Sequence, residues 1–161
     1  MGKKPITVGI VCRNEEKHIK NLLASLEHQD FDKEKFGLLI IDGNSADNTR
    51  KIIKKFAKKS LLAIKLLNEA DFNKKGLCQA RNLVIDNAFV GTKYVCFIDA
   101  DCEAAPDWLT TLYANIKDTP DTVAGAGGPR LPTGKKSSVE GILNIILTSF
   151  LTSGGNLAFY K

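Results

Sequence analysis

Short apolar runs alternate along the chain with stretches in which apolar residues recur every three or four positions. The runs predict buried strands at Ile6–Cys12, Phe36–Ile41, Leu61–Leu67, Tyr94–Ile98 and Thr122–Gly125. The periodic stretches predict helices over Asn14–Glu27, from Ser45 through Phe56, from Lys75 to Phe89 and from Pro106 to Ile116. Strands and helices that alternate with short connections favour a parallel sheet with right-handed crossovers, so the predicted fold class is α/β.

Three polar or cyclic residues predict where helices begin. Asn14 follows the first strand and suits an N-cap, and Ser45 suits the N-cap of the second helix because its hydroxyl accepts a backbone N–H. Pro106 fits the first turn of the fourth helix, where its missing N–H leaves no helical hydrogen bond unmade.

Composition indicates one domain, and charge narrows the class of partner. The 161 residues are 43% hydrophobic and 25% charged, which suits a single domain with a sizeable core. The net charge of +5 favours a phosphate-rich ligand or an anionic membrane surface. Nucleic acid is not expected, because the aromatic residues do not interleave with the basic ones. Many lysines cluster on or near the second predicted helix, where a solvated helix face explains them most simply: Lys51, Lys54, Lys55, Lys58 and Lys59.

The cysteine pattern indicates a reducing compartment and no zinc site. Cys12, Cys78, Cys96 and Cys102 form no Cys-x-x-Cys pair, and the two histidines lie near none of them except, distantly, Cys12. Cys12 and Cys96 fall in apolar runs, where a reduced thiol behaves as a small hydrophobic group. The basic start of the chain lacks a secretory apolar segment, and no apolar run reaches membrane-spanning length. We expect a cytoplasmic protein, with the cytoplasmic membrane face as an alternative location.

The fourth predicted strand ends in two carboxylates one residue apart. Asp99 and Asp101 come directly after Tyr94–Ile98, at the carboxyl end of a strand, where open α/β sheets hold their ligands. On an extended segment these two side chains point the same way, and they repel unless a cation or a proton lies between them. Oxygen ligands suit Mg²⁺ or Mn²⁺, so a metal that bridges to a phosphate is one interpretation. The alternative is that Asp101 caps the following segment and Asp99 is solvated.

Other polar motifs follow the first and second predicted strands. Arg13, Asn14 and Glu15 form either an exposed turn or the rim of a base-binding pocket. In the motif Asp42–Thr49, Gly43 permits a tight turn and Asp42 can accept hydrogen bonds from a ribose or a base. The acid at position 47 of this motif alternatively belongs to the first turn of the next helix, where the helix dipole favours it.

A further motif opens the third predicted helix. Gly76 is followed by Ala80-Arg81-Asn82. Arg81 is either an ordinary surface residue or a residue that approaches a nucleotide. That all these motifs lie at strand ends is stronger evidence for a binding site than any one motif alone.

Together, these motifs resemble those of the family 2 inverting glycosyltransferases. The resemblance rests on Val11–Glu15, on Ile41–Thr49, on Gly76 with Ala80-Arg81-Asn82, and on Phe97–Asp101. It runs over nearly the whole chain and implies a GT-A fold, which is Rossmann-like, with a mostly parallel sheet flanked by helices. It also implies that a nucleotide-diphosphate sugar, with UDP or GDP as its nucleotide, lies across the carboxyl ends of the strands.

The resemblance assigns roles to individual residues. The residues around Arg13 and Asn14, with Asp42, Arg81 and Asp99, would hold the base and the ribose. Asp101, with Asp99, would hold Mg²⁺ or Mn²⁺, which offsets charge on the departing nucleotide diphosphate. The full set of expected donor-binding residues is Arg13, Asn14, Glu15, Asp42, Gly43, Ser45, Gly76, Arg81, Asp99, Ala100 and Asp101.

The chain departs from the family pattern near its end. Family members carry a later acidic motif whose carboxylate deprotonates the acceptor hydroxyl, so that attack from the opposite face inverts the anomeric centre. Beyond Asp121 the only acid is Glu140, whose surroundings do not match that motif, so the catalytic base is not identified. The expectation is a single GT-A domain, apparently truncated, with a nucleotide-sugar-binding part over residues 1–128 and the start of an acceptor part over 129–161. A partner chain or a homo-oligomer is an alternative way to complete it.

Two rival functions remain beside the glycosyltransferase. One is a non-catalytic module or subunit that binds a nucleotide sugar, which the missing base keeps open. The other is a sugar-nucleotide nucleotidyltransferase, which also places carboxylates and metal at strand ends. That class is expected to have a glycine-rich phosphate loop after the first strand, and Val11–Glu15 contains no glycine.

A strongly apolar stretch, Val139–Leu151, follows two lysines near the end of the chain. The favoured interpretation is a helix that packs on the core or on an acceptor half. A peripheral membrane contact that serves a lipid-linked acceptor is the alternative. The acceptor itself is expected to be a glycan, a lipid-linked molecule or a protein.

Overall fold

A computed structural model describes residues 3–73, 75–120 and 122–128. Strands and helices alternate, with strands β1 (Ile6–Cys12), β2 (Phe36–Asp42), β3 (Ala63–Asn68) and β4 (Tyr94–Phe97). The helices are α1 (Ile19–Glu27), α2 (Thr49–Ala57), α3 (Leu77–Asp86) and α4 (Trp108–Ile116), with a short 3₁₀ turn at Glu69–Phe72 after β3. No helix within these ranges is long and apolar enough to cross a bilayer.

The four strands form one parallel sheet in the order β3-β2-β1-β4. The register pairs Cys12 with Asp42 and Asp42 with Asn68, so β1, β2 and β3 end side by side. β4 pairs with the first half of β1, from Ile6 opposite Tyr94 to Gly9 opposite Phe97. The predicted α/β class and parallel sheet are confirmed.

The core lies on both faces of this sheet because the central strands β1 and β2 are buried at every position except Val11. All seven residues of β2 are buried, as expected of a strand covered on both sides. The apolar side of α1 contributes four fully buried side chains, each worth about 1.5–3 kcal/mol relative to an exposed one, at Ile19, Leu22, Leu23 and Leu26. A second cluster joins β2 to α3 and consists of Leu39, Ile41, Ala80, Leu83, Val84 and Phe89.

Two strand glycines allow that second cluster to pack closely. A Cβ built on Gly37 would lie 2.5 Å from Cε2 of Phe89, and one on Gly9 would lie 2.5 Å from Cγ1 of Val84. Both glycines therefore occupy positions that no larger residue fits without moving its neighbour, which is a common reason for glycine inside a strand.

The observed boundaries correct several predictions. Helix α1 begins at Ile19 and not at Asn14, because Asn14 has a left-handed backbone with φ of 57°. The third strand begins at Ala63, and Leu61 before it is 81% exposed. Helix α3 ends at Asp86, so Phe89 reaches the core from the following loop.

The predicted fifth strand, Thr122–Gly125, is wrong. Residues 122–128 contain a turn and no strand. The N–H of Val123 is bonded to the C=O of Pro120 at 2.9 Å, so the backbone closes a turn at this point. Val123 is itself 41% exposed, which leaves the segment without the buried face that a strand needs.

Contacts divide the chain into two compact units, Met1–Thr110 and Thr111–Lys161. The first contains the sheet and helices α1 to α3. The predicted division at residues 128 and 129 stays a prediction, and the apolar stretch Val139–Leu151 lies outside the described residues.

We expect the substitution Gly37→Ala to destabilise the fold by about 1–3 kcal/mol, because the added methyl group must displace the Phe89 ring. Urea unfolding followed by circular dichroism measures this change. Gly125→Ala is the matched control, since a Cβ there meets nothing within 4 Å. Equal stability of the two variants would contradict this account of the packing.

Candidate donor-binding site

The polar motifs lie together at the carboxyl edge of the sheet. The loop after β1 carries Arg13, Asn14 and Glu15, and the loop after β2 carries Gly43 and Ser45. Strands β2 and β4 pair with opposite sides of β1, so two strand spacings, about 10 Å, separate these two strands across the sheet. This spacing places the Asp42 end and the Asp99 end on either side of the end of β1.

The loops after β1 and β2 are joined by reciprocal hydrogen bonds. The N–H of Asn14 donates to Oγ of Ser45 at 2.9 Å, and the N–H of Ala46 donates to Oδ1 of Asn14 at 2.8 Å. Neither Asn14 nor Ser45 caps a helix as predicted. The two side chains instead hold the two loops against each other.

Thr49 connects the same loops a few residues further on. Its hydroxyl accepts the N–H of Glu15 at 2.8 Å and donates to Oδ1 of Asp47 at 2.6 Å. Asp47 also accepts the N–H of Glu16 at 3.1 Å through its other oxygen. Burial by itself raises the pKa of the Asp47 carboxyl, but hydrogen bonds from Thr49 and Glu16 outweigh it and hold this pKa below its usual value. Asp47 is thus a structural acid that fixes the loop after β1.

Asp42 is a fully buried carboxylate with one oxygen engaged. Oδ2 accepts the N–H of Ser45 at 3.2 Å and lies 3.6 Å from Nε of Arg50. Its other oxygen, Oδ1, has no hydrogen-bond partner among the described residues. A buried carboxylate oxygen without a donor is costly, so a ligand that supplies a donor would stabilise this edge.

Glu69 joins this part of the site, and sequence reasoning missed it. Its Oε2 lies 3.4 Å from the position that a Cβ on Gly43 would take, and its Oε1 is buried without a hydrogen-bond partner among the described residues. The available signal was an acid directly after the third strand, at the edge where the other motifs end. The same ideal Cβ on Gly43 would lie 3.3 Å from Cβ of Arg13, so a larger residue at position 43 would crowd Arg13.

Asp99 and Asp101 follow β4 and form a small cluster with Cys102. One ligand atom from each residue lies within 4.8 Å of the others. Asp99 and Asp101 are exposed, whereas Ala100 between them is only 5% exposed. The N–H of Cys102 donates to the C=O of Asp99 at 3.1 Å, which turns the chain and brings the three side chains together. Two carboxylates in this arrangement fit a hard divalent cation.

Arg81 lies beside this cluster. Its guanidinium is 3.6 Å from Oδ1 of Asp99 and lies over the Phe97 ring at 5.8 Å from the centroid. Helix α3 carries it there, starting after Gly76, whose φ of 104° favours glycine. A cation next to an exposed carboxylate pair can hold the phosphates of a ligand.

Two cysteines near the strand ends are inert. Burial raises the pKa of the Cys12 thiol to about 12, with a further contribution from the charges of Asp42, Glu15 and Asp47. Burial likewise raises the pKa of Cys96 to about 11. Neither thiol is therefore a nucleophile near neutral pH.

Comparison with known proteins gives a family and relatives. The model of "Glycosyl transferase family 2" matches residues 7–149. One curated relative is a dolichyl N-acetyl-alpha-D-glucosaminyl phosphate 3-beta-D-2,3-diacetamido-2,3-dideoxy-beta-D-glucuronosyltransferase of Methanococcus voltae. It is 31% identical over 160 residues, which cover 97% of this chain and 48% of the relative. The chain thus spans about half the length of that relative.

Solved structures share the fold. TarS residues 1–349 from S. aureus, in complex with UDP-GlcNAc, is 28% identical with a TM-score of 0.62, over 78% of this chain and 37% of that one. The mannosyltransferase PcManGT from Pyrobaculum calidifontis, in complex with GDP-Man and Mn²⁺, is 26% identical with a TM-score of 0.59. That match covers 67% of this chain and 33% of the other. The GT-A fold is therefore confirmed.

We expect Thr49→Val to destabilise the protein by about 1–3 kcal/mol, because it removes the acceptor for Glu15 N–H and a donor to Asp47 without changing side-chain volume much. Thr110→Val is the control, since Thr110 is exposed and its hydroxyl donates to the C=O of Asp30 at 3.1 Å. The free energy of unfolding of both variants, measured in urea, tests this prediction. A loss at position 49 no larger than that at 110 would mean that the loops do not depend on Thr49.

Asp47 should make stability depend on pH in the acid range. Its pKa is lower in the folded chain than in the unfolded chain, where it is about 3.9. Its contribution is therefore present above the unfolded pKa and is lost as the pH falls through the folded one. Unfolding midpoints in urea, measured from neutral pH downward, should fall less steeply below about pH 4 for Asp47→Asn than for the wild type. Asp118→Asn, which removes an exposed carboxylate, should leave that slope unchanged.

Proposed function

Because the chain belongs to glycosyl transferase family 2, we propose that it binds a nucleotide-diphosphate sugar at the carboxyl edge of its sheet. The protein transfers the sugar to an acceptor, with inversion at the anomeric carbon. The donor is a UDP- or GDP-sugar, and a divalent metal assists. The chain matches less than half of its first relative, so the activity of the whole protein is part of the proposal.

The observation that carries the proposal is the cluster at the end of β4. Asp99, Asp101 and Cys102 offer three ligand atoms within 4.8 Å of one another, and Arg81 lies 3.6 Å from Asp99. Carboxylates that face one point, with a guanidinium at their side, suit a metal–diphosphate pair better than either a metal or an anion alone.

The residues at this edge fit Mg²⁺ or Mn²⁺, because two of the three ligand atoms are carboxylate oxygens. Asp101 and Asp99 would hold the ion. When bound, it offsets the negative charge that the nucleotide diphosphate gains as the glycosidic bond breaks. PcManGT is described with Mn²⁺, which supports the same class of metal for this chain.

The base and ribose lie on the other side of the edge in this proposal, over the loops after β1 and β2. Arg13, Asn14, Glu15, Gly43 and Ser45 form the wall, and Gly76 and Ala100 flank the diphosphate. Asp42 lies beneath them with Oδ1 lacking a donor, and Glu69 has a similar oxygen nearby. Donors on the base or the ribose hydroxyls would satisfy these oxygens.

For the sugar donor and the acceptor, we propose a chemical class and no individual molecule. TarS is described with UDP-GlcNAc and PcManGT with GDP-Man, so both nucleotides occur among related folds. We propose a glycan, lipid-linked or protein acceptor, and we assign no residue of the chain as the general base. The described cysteines carry free thiols, which agrees with a cytoplasmic location.

Family membership favours glycosyl transfer over nucleotidyl transfer. A non-catalytic nucleotide-sugar-binding module would bind the donor with the same residues as the transferase and would differ from it only in lacking turnover. Binding and turnover must therefore be measured separately.

The first experiment is calorimetric titration with UDP, GDP and their sugar conjugates, with and without Mn²⁺. We expect one nucleotide family to bind, and to bind more tightly with the metal. Asp101→Asn should weaken metal affinity by at least about 100-fold, because losing a residue that merely orients a ligand already costs about 10–100-fold. Metal-independent nucleotide affinity should remain.

Asp30→Asn is the matched control, because Asp30 is exposed and lies outside the donor site. It should bind metal and nucleotide as the wild type does. Failure of a folded wild-type chain to bind any of these ligands would overturn the donor site. Unchanged metal dependence in Asp101→Asn would overturn the metal assignment alone. Release of free sugar or its transfer, assayed next, separates the enzyme from the binding module.

A further inference from the structure

Helix α2 presents a strongly basic surface that the donor site does not use. We define the α2 basic face by five exposed lysines, Lys51, Lys54, Lys55, Lys58 and Lys59. They extend about 12 Å along the helix and its end, at 1.5 Å per residue. Among the described residues, an open depression of about 650 Å³ is lined by basic side chains, namely Arg50, Lys51, Lys54, Lys55 and Lys58.

Acidic sequence neighbours do not balance the charge of this face. No acidic residue occurs between Asp47 and Glu69. Within the described part of the chain, none of the five lysines takes part in an ion pair, whereas Arg50 pairs with Asp42. Lysines four positions apart repel each other and destabilise a helix, as at Lys51 with Lys55 and Lys54 with Lys58. An external anionic surface would relieve this repulsion.

An exposed leucine continues the α2 basic face. Leu61 follows Lys58 and Lys59 closely, and its side chain is 81% exposed. Its backbone is held in place, because its N–H donates to Oε1 of Glu27 at 3.2 Å and the Ser60 hydroxyl bonds to the same carboxylate. The loop therefore presents an apolar side chain at a fixed position beside the lysines.

The combination of lysines with a fixed, exposed leucine distinguishes between anionic partners. A polyphosphate or nucleic acid offers no apolar medium for Leu61, and no aromatic side chain on this face stacks on bases. A membrane offers both an anionic surface and an apolar interior a few ångströms below it. The apolar side of α2, including Ile53, is buried in the core, so the helix itself cannot insert.

We propose that the α2 basic face and Leu61 form a peripheral docking surface for anionic phospholipid membranes. The lysines contact the headgroups, and Leu61 enters the interface. The surface starts near the carboxyl edge, since Arg50 in the first turn of α2 lies 3.6 Å from Asp42. Docking along this side leaves the Asp99 and Asp101 side of the edge uncovered. The proposal does not depend on the proposed transferase activity.

The test is sedimentation of the full chain with vesicles of phosphatidylcholine mixed with phosphatidylglycerol, and with vesicles of phosphatidylcholine alone. We expect binding only to the anionic vesicles, weakened by added salt. The triple variant Lys54→Gln, Lys55→Gln, Lys58→Gln should bind roughly 100-fold more weakly, because each lysine near such a surface contributes about a factor of five. Leu61→Ser should weaken binding severalfold without changing the net charge.

The matched control removes three exposed lysines elsewhere, Lys3→Gln, Lys93→Gln and Lys117→Gln. It should bind much better than the α2 triple variant, although its net charge is the same. Circular dichroism confirms that each variant is folded, and glutamine preserves the helix propensity of α2.

Three results would overturn the proposal. One is no binding of the wild type to anionic vesicles. Another is equal loss in the two triple variants, which would show an effect of net charge only. The third is unchanged vesicle binding in Leu61→Ser together with tight binding of soluble polyphosphate, which would identify a soluble polyanion as the partner.

Discussion

The parallel pairing of β1 with β2 is the constraint on which the candidate site depends. It runs in register from Ile6 opposite Phe36 to Cys12 opposite Asp42. Both strands therefore end at the same level. The N–H of Gly43 donates to the C=O of Cys12 at 2.8 Å, at the point where the two strands leave the sheet. The two following loops begin side by side, so their polar side chains can bond to each other before any ligand arrives.

Because of this pairing, short side chains are enough to hold the loops after β1 and β2 in place. Thr49 and Asp47 hold the loop after β1 through its backbone N–H groups, and Ser45 and Asn14 exchange bonds across the loops. These four side chains are thus engaged in bonds within and between the loops. The polar atoms still available to a ligand include the carboxylate oxygen of Asp42 that has no donor among the described residues. A preorganised edge of this kind loses less entropy when it binds.

The two charged regions of the first unit differ in how their charge is balanced. At the carboxyl edge, carboxylates lie next to guanidinium groups: Arg81 lies close to Asp99, and Arg50 lies close to Asp42. On the exposed side of α2 only one sign is present. The first arrangement suits a ligand that carries both phosphate and metal. The second suits an extended anionic surface, and Leu61 at its end gives that surface an apolar contact.

The sequence alone determined the order of the first four strands and their helices, the parallel sheet and the family, because buried strands and amphipathic helices have different hydrophobic periods and the motifs follow the strands. It also placed the acids Asp42, Asp99 and Asp101 at strand ends. It could not determine that Ser45 bonds across to Asn14, since local preference makes each a good cap and only the neighbouring loop offers the other partner.

The tertiary structure alone decided the remaining features. Glu69 belongs to the candidate site because register places the end of β3 beside that of β2, and the Glu69 carboxylate lies close to Gly43. Gly37 is required by the ring of Phe89, which lies 52 positions later in the chain. The predicted strand at Thr122–Gly125 instead begins with a turn, and the side chain of Val123 is 41% exposed. For Glu69 and Gly37 the deciding contact joins residues far apart in sequence, and a local pattern carries no information about it.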